Sequence, residues 1–254
     1  MLPVHSYITS EGCTLSPVHQ LRDLGVTVCD DGSWTPHIRE IACKARQKAA
    51  WVLSVFYTRS PDVMLTLYKS MVRSLLEFCS PLWNPVKVSD IQELEGVQKT
   101  FTAKIGGCKD LDYWDRLKKL SLMSLQRRRE RYIIIHMWKI LHNQTSNDLN
   151  IQFNKRSRLG TQAVIPPLSR GSSSKHQSSY DNSFAVLGPK LWNSMPAHIN
   201  GIAEFPAFKN QLTAFLLSVP DKPPVRGYTT PNSNSLLAWR VDTSASALWG
   251  GQRI

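Results

Sequence analysis

The chain has 254 residues, of which 42% are hydrophobic, and it carries a formal net charge of +12 with an isoelectric point of about 9.7. This length suits one large domain or two small ones, and the hydrophobic content can supply a core. The charge says nothing about the fold. It predicts attraction to polyanions, nucleic acid first, with a generic basic protein as the alternative.

Cysteine usage and hydropathy argue against a structural zinc site and against a membrane span. The five cysteines are scattered singly and form no CxxC pair, which is typical of a reduced intracellular protein. The start MLPVHSYITS lacks the regions of a signal peptide, so cytoplasm or nucleus is the expected location. The apolar run YIIIHMWKIL is too short to cross a bilayer. Because arginines precede it, a helix that lies on a membrane surface stays an alternative.

The N-terminal residues 1–34 are predicted to be rich in β-structure. The segments SYIT and CTLS flank Glu11-Gly12, which is typical of a hairpin, and LRDLGVTV predicts a third short strand. Three short strands bury little surface by themselves. We therefore expect this piece to be the edge of something larger.

The segment GVTVCDDGSW raises the question of catalysis, because its strand ends in the adjacent aspartates Asp30 and Asp31. Polymerase carboxylates that hold two metal ions project from a tight hairpin with a strand on each side. Here Asp31 is followed by Gly32, a turn signal, and no second apolar strand comes after it. Thr35 and Pro36 then predict a helix N-cap and a first-turn proline. The pair is interpreted as a turn, and no catalytic or metal-binding residue is assigned.

Residues 35–142 are predicted to be helical throughout, because apolar side chains recur at helical spacing. The first helix spans His37 to Phe56. The second begins at Ser60-Pro61 and ends before Pro81, since proline clashes with a preceding helical turn. Its expected buried face consists of Met64, Leu67, Tyr68, Met71, Leu75 and Phe78.

Three more helices are predicted in this segment. One starts at Ser89, places Glu93 near the capping-box position and ends at Gly106-Gly107. A short helix follows from Tyr113 to Leu120, and a long one from about Met123 to His142.

The last third of the chain changes character. Residues 143–182 are a polar linker by composition, with the stretch RGSSSKHQSS as its clearest part. Residues 183–219 regain apolar order and predict two short helices. Residues 220–254 are rich in Pro, Asn and Ser and are predicted to be a disordered tail without a core of its own. The expected fold class is therefore mainly α, with a small β-hairpin edge at the N-terminus.

Five stretches in collinear order resemble the C-terminal part of reverse transcriptases from non-LTR retrotransposons, specifically jockey-like transposable elements. They are RDLGVTVCDDGSWTPHI, SPDVMLTLYKSMVRSLLEFCSPLWNP, DIQELEGVQKTFTAKI, RLKKLSLMSLQRRRERY, and SFAVLGPKLWNSMPAHI with FKNQL. Each motif alone is weak, but five in the same order with plausible spacing form a strong pattern. The resemblance runs from about residue 5 to about residue 218.

The resemblance implies that residues 1–34 are a remnant of the palm end and that residues 35–142 are a thumb-like domain. The chain would then be a fragment that begins downstream of the catalytic carboxylates. Its parent would be an RNA-directed DNA polymerase that uses Mg²⁺, and the palm and fingers would be its missing partners. We expect this chain alone to be inactive and to carry no cofactor of its own.

A thumb holds the phosphate backbone of a template-primer duplex through Lys and Arg, with little readout of the bases. Residues 35–142 contain nineteen Lys and Arg against ten Asp and Glu, a surplus of nine that accounts for most of the net charge. The candidate nucleic-acid-binding residues are Lys44, Arg46, Lys48, Lys69, Arg73, Lys99, Lys104, Lys118, Lys119, Arg127, Arg128, Arg129 and Arg131. For any single one of them, a solvated helix face is the alternative.

Two further residue types are assigned no special role. The tryptophans invite base stacking, but their positions on apolar faces or beside prolines favour core packing. No nucleophile or carboxylate lies at a sequence spacing from the histidines that would indicate a catalytic site. Three alternatives to the polymerase fragment stay open: a stand-alone basic nucleic-acid-binding module, a helical protein-interaction module, and a decayed element with no selected function.

Overall fold

The computed structural model describes residues 7–85, 87–156, 160–167, 180–228 and 234–238, and within them the fold is mainly α, as predicted. The helices are α1 Thr35–Val55, α2 Pro61–Leu67, α3 Arg73–Glu77, α4 Val88–Thr102, α5 Tyr113–Lys119, α6 Leu125–Leu141, α7 Phe184–Asn193, α8 Ala197–Asn200 and α9 Phe205–Ser218. A π-helical turn, Tyr68–Val72, joins α2 to α3, and a 3₁₀ turn spans Leu236–Ala238.

Three antiparallel hairpins supply the strands: β1 Tyr7–Ile8 with β2 Thr14–Leu15, β3 Gln20–Asp23 with β4 Val26–Cys29, and β5 Phe153–Arg156 with β6 Gly160–Ala163. The predicted hairpin around Glu11-Gly12 is confirmed. The single strand predicted for LRDLGVTV is wrong, because the chain reverses at Leu24 and Gly25. Both residues have positive φ, at 44° and 86°, which is the geometry of a tight hairpin turn.

Helices α1 to α5 enclose the first hydrophobic core. The apolar stripe of α1 packs against α4 and α3, and Ile38, Ala45 and Val52 are fully buried there. Alanines on the α1 stripe allow the helix axes to approach closely, and larger side chains from α4, such as Phe101, fill the space between them.

The second predicted helix is broken by the π-helical turn, and its buried face differs from the prediction. The buried residues are Met64, Tyr68, Val72 and Leu76, whereas Phe78 is 54% exposed. A spacing of four residues drifts around a helix of 3.6 residues per turn, and the wider π-helical turn offsets that drift. The sequence prediction assumed a regular helix, so it placed Met71 and Leu75 in the core; both are only partly buried.

Several helix starts also differ from the predictions. Thr35 is the first residue of α1 rather than its cap, and its hydroxyl donates to Asp90 Oδ2 at 2.8 Å. Helix α4 begins at Val88 without a side-chain cap, and Glu93 forms ion pairs instead of closing a capping box. The caps that the structure does show are Ser124 on α6 and Asp112 on α5.

A second core lies between α6, α7, α8, α9 and the β5–β6 hairpin. Its centre is aromatic: the ring centroids of Trp138 and Phe208 are 5.6 Å apart, and those of Trp192 and Phe208 are 6.2 Å apart. Helix α6 also contacts α3 and α4, so it is the element shared by both cores. Core packing is thereby confirmed for Trp138, Trp192 and Trp83, but Trp51 is 47% exposed.

Part of the predicted polar linker, residues 143–182, is ordered structure, so that prediction is wrong for residues 153–156 and 160–163. The side chain of Asn193 on α7 accepts from Ala163 N at 2.9 Å and donates to Ala163 O at 2.8 Å, which fixes the hairpin against the second core. Composition does not reveal a polar hairpin that is recognised through its backbone. Residues 168–179, which include all of RGSSSKHQSS, lie outside the described residues.

The predicted disordered tail is also wrong for residues 220–228 and 234–238, which pack onto the helices. Val225 is buried in the first core and Leu236 in the second. The Asp221 carboxylate accepts from Ser124 N and Oγ, each at 2.7 Å, at the start of α6. The segment after residue 183 holds three helices instead of two, because the chain breaks again between α7 and α9 to form α8. No described helix is long and apolar enough to cross a membrane.

Candidate nucleic-acid interface

The adjacent aspartates Asp30 and Asp31 lie in a turn between β4 and α1, as the sequence predicted. Asp31 Oδ1 accepts from Ser33 N at 2.8 Å, and Asp30 Oδ2 is 2.7 Å from His19 Nδ1. The hydrogen bond to His19 lowers the pKa of Asp30. No strand follows the pair before α1 begins, so the described chain shows a helix entry here rather than a hairpin tip.

A basic groove of about 540 Å³ runs beside α4. One side is formed by Arg46 of α1, and the other by the tail residues Val225, Arg226 and Tyr228. The cations that line it are Arg46, Lys99, Lys104, Arg116 and Arg226, and the one carboxylate among its lining residues is Glu93. Five cations against one carboxylate leave a surplus of four positive charges, which favours an anionic ligand.

Glu93 connects the two sides of this groove. Its Oε1 is 2.6 Å from Arg46 Nη2, and its Oε2 is 3.8 Å from Arg226 Nη2. Both arginines are well exposed, and exposed ion pairs contribute only about 0–1 kcal/mol. An incoming phosphate can therefore exchange with Glu93 at little cost, and both guanidiniums are free to turn into the groove.

Lys99 and Tyr228 form the contact between α4 and the tail. Lys99 Nζ donates to Arg226 O at 3.0 Å and lies 4.4 Å from the centroid of the Tyr228 ring. The Tyr228 hydroxyl in turn accepts from Tyr113 N at 3.1 Å, which fixes the tail to the start of α5. The tail side of the groove is thus held by specific bonds.

Arg116 places a buried positive charge at the groove. Its side chain is 5% exposed and donates to two backbone carbonyls, Leu111 O at 3.1 Å and Lys99 O at 3.2 Å. Its Nε is buried without a hydrogen-bond partner, and within the described residues no carboxylate pairs with it. A buried guanidinium without a counter-ion strengthens the positive potential of the groove.

Three of the predicted candidates, Arg46, Lys99 and Lys104, come together in this groove. The sequence did not single out Arg116 or Arg226. Arg116 stands in the motif RLKKL, where only the two lysines were chosen, and Arg226 lies in the segment that was predicted to be disordered. No pattern in the residues around Arg226 predicts that it lies close to α4.

Four of the predicted candidates, Arg127, Arg128, Arg129 and Arg131, do not form an exposed phosphate-binding surface. Arg127 and Arg129 are each 1% exposed. Arg128 forms a two-point ion pair with Glu77, with Nη2 to Oε2 at 2.9 Å, and Arg131 donates to Thr213 Oγ1 at 3.2 Å. The cause is the position of α6 between both cores, which leaves this stretch no free polar face.

The other predicted candidates are dispersed. Arg73 has a side chain only 15% exposed and turns to Glu77, so it does not share an exposed face with Lys69. Lys44 pairs with Glu40 at 2.6 Å, and Lys48 lies over Trp51. Lys118 and Lys119 are exposed on α5; Lys118 Nζ is 3.7 Å from Asp115, and Lys119 Nζ donates to Gly107 O.

A buried polar network, which was not predicted from the sequence, lies on the other side of α4. Glu95 is 0% exposed; its carboxylate accepts from Tyr113 Oη at 2.6 Å and from Gln126 N at 2.8 Å. Gln98 accepts from Tyr68 Oη and donates to Tyr113 Oη. Burial raises the pKa of Glu95 to about 7, against the opposing charge of Arg129.

Comparisons of this chain with protein-family models, with curated proteins and with solved structures found no match. The motifs and the geometry of the groove are therefore the observations that bear on function.

Proposed function

We propose that this chain binds a nucleic-acid duplex through its phosphate backbone, in the groove beside α4, as the thumb of a non-LTR retrotransposon reverse transcriptase. The single observation that carries the proposal is the surplus of four positive charges in one groove, with the buried Arg116 among them. Phosphate contacts of this kind give affinity without sequence preference. The collinear resemblance supplies the parent family.

The proposal assigns no chemical step to this chain. Two-metal nucleotidyl transfer needs carboxylates held so that they bridge both ions. Asp30 and Asp31 are committed to His19 and to the turn backbone instead. A primer-extension assay with the purified chain is expected to show no synthesis, and synthesis above the protein-free control would refute this part.

The polymerase origin also gives an occupant for the exposed face of the β3–β4 hairpin. Leu21, Leu24 and Val28 are 61%, 88% and 43% exposed. Contiguous exposed apolar side chains are typical of an interaction surface. In the proposed parent enzyme, the rest of the palm covers this face.

Binding is tested by fluorescence anisotropy with a labelled RNA–DNA duplex of about 16 base pairs, a length that spans successive minor grooves. Two exposed lysines form a matched pair: Lys104 lines the groove, whereas Lys69 lies on the π-helical turn away from it. The double variant Arg46→Gln/Lys104→Gln is expected to lose about tenfold or more in affinity, since each lost phosphate contact costs several-fold.

The control Lys69→Gln is expected to bind as the wild type does. Equal weakening by the single substitutions Lys104→Gln and Lys69→Gln would show that attraction depends on net charge alone and would contradict a defined groove. Preference for one duplex sequence over another would contradict binding through the phosphate backbone.

A further inference from the structure

Two glycines lie in the interior of described helices, Gly96 in α4 and Gly188 in α7. Glycine is less favourable than alanine in a helix interior, so each position calls for a reason. For Gly188 the reason is packing, because an added Cβ would lie 2.8 Å from Met137 Sδ. For Gly96 an added Cβ would meet nothing within 4 Å. Nothing in the described fold requires a glycine at position 96.

The open space above Gly96 is the basic groove. Gly96, Thr100 and Ala103 all line it, at the i, i+4 and i+7 spacing that places residues on one helical face. The groove floor therefore consists of small side chains, which bring the α4 backbone close to whatever occupies the groove. Arg46 of α1 also lines the groove, and Lys99 of α4 donates to Arg226 O of the tail.

A second and independent observation points to an anionic occupant. Arg116, which lines the same groove, is 5% exposed; it donates to two backbone carbonyls, its Cζ lies 5.9 Å from the centroid of the Tyr113 ring, and its Nε has no hydrogen-bond partner. Such a charge is stabilised when an anion enters the low-dielectric space beside it. The small side chains along α4 and the positive charge of Arg116 together favour a negatively charged ligand that lies against α4.

We infer that Gly96 is a contact residue of the groove, where one phosphodiester strand lies directly against the α4 backbone. This inference rests on the proposed binding function and deepens it by placing the strand along Gly96, Thr100 and Ala103. It predicts that the absence of a side chain at position 96 favours binding and disfavours folding. A single methyl group then changes the two properties in opposite directions.

The test compares thermal melting and duplex binding for Gly96→Ala and Gly96→Leu. An added Cβ at position 96 meets open space, so both variants are expected to fold, and a cooperative thermal melt checks this for each of them. Gly96→Ala is expected to raise the melting temperature by about 1–4 °C. Gly96→Ala and Gly96→Leu are expected to weaken duplex affinity by about fivefold and by more than about tenfold, the scale of one lost close contact.

The matched control is Ala50→Leu, since Ala50 is an exposed small residue on α1 that does not line the groove. Ala50→Leu should bind as the wild type does. If the wild-type chain binds no duplex, the proposed function fails. If the wild type binds and Gly96→Leu binds equally well, only the placement of the strand on Gly96 is overturned. A lower melting temperature for Gly96→Ala would also overturn it, because glycine would then have a structural role.

Discussion

Replacement of Glu95 by glutamine is expected to change how the stability of the protein depends on pH. Glu95 is 0% exposed and lies between α4, α5 and α6. The titratable groups that face it are Tyr113 from α5, Arg129 from α6 and Asp221 from the tail. Burial dominates and raises the pKa of Glu95 from 4.5 to about 7.

The direction of the effect follows from proton linkage. Since the folded state holds the proton more tightly, the contribution of Glu95 to stability is fully present below a pH of about 4.5, the unfolded value. It is lost as the pH rises through the folded value of about 7. A shift of this size corresponds to about 3 kcal/mol. The uncharged amide of Glu95→Gln does not titrate, so the stability of the variant does not fall for this reason as the pH rises.

The measurement is the free energy of unfolding in urea for both proteins at pH 5 and pH 8. At pH 5 the folded wild type holds Glu95 in its neutral form, and Glu95→Gln is expected to have a similar stability there. It should gain about 3 kcal/mol relative to the wild type between the two pH values. Contributions from histidines cancel in the difference. Parallel pH dependences of the two proteins would refute the burial of an ionisable Glu95.

Two other substitutions test the packing. Phe101→Ala removes a 0% exposed ring from the first core and is expected to cost about 3–5 kcal/mol in the free energy of unfolding, measured in urea; a cost under about 1 kcal/mol would contradict that core. Asp221→Ala removes the acceptor for Ser124 N and Oγ and is expected to cost about 1–3 kcal/mol. It should also increase proteolytic cleavage after residue 219, and unchanged protease resistance would show that the tail is not docked through Asp221.

Helix positions were largely predictable from the sequence, because proline and apolar periodicity act locally, whereas the predicted caps were wrong. The hairpin at Glu11-Gly12 and the turn at Asp30-Asp31 were predictable for the same reason. The π-helical turn at Tyr68–Val72 was not, since one inserted residue leaves composition and turn signals unchanged and only moves the buried face.

The candidate site was only partly predictable. Arg46 and Lys99 lie on helices, outside the apolar stripes that periodicity can identify, and Lys104 lies just after the end of α4. Arg127, Arg128, Arg129 and Arg131 have the same local character in the sequence. In the structure, Arg127, Arg128 and Arg131 form ion pairs or hydrogen bonds, and Arg129 is 1% exposed. Arg226 reaches the groove only because residues 220–228 dock on α5 and α6, and docking of a proline-rich segment depends on contacts more than 90 residues away in the chain.

The salt dependence of duplex binding tests the central claim most directly. With four unneutralised charges in the groove, a plot of log affinity against log salt concentration is expected to have a slope of about −3 to −4 for the wild type. Lys104→Gln should make this slope less steep by about 1, and Lys69→Gln should leave it unchanged. A slope near zero, or an equal change for both variants, would contradict phosphate binding in the groove beside α4.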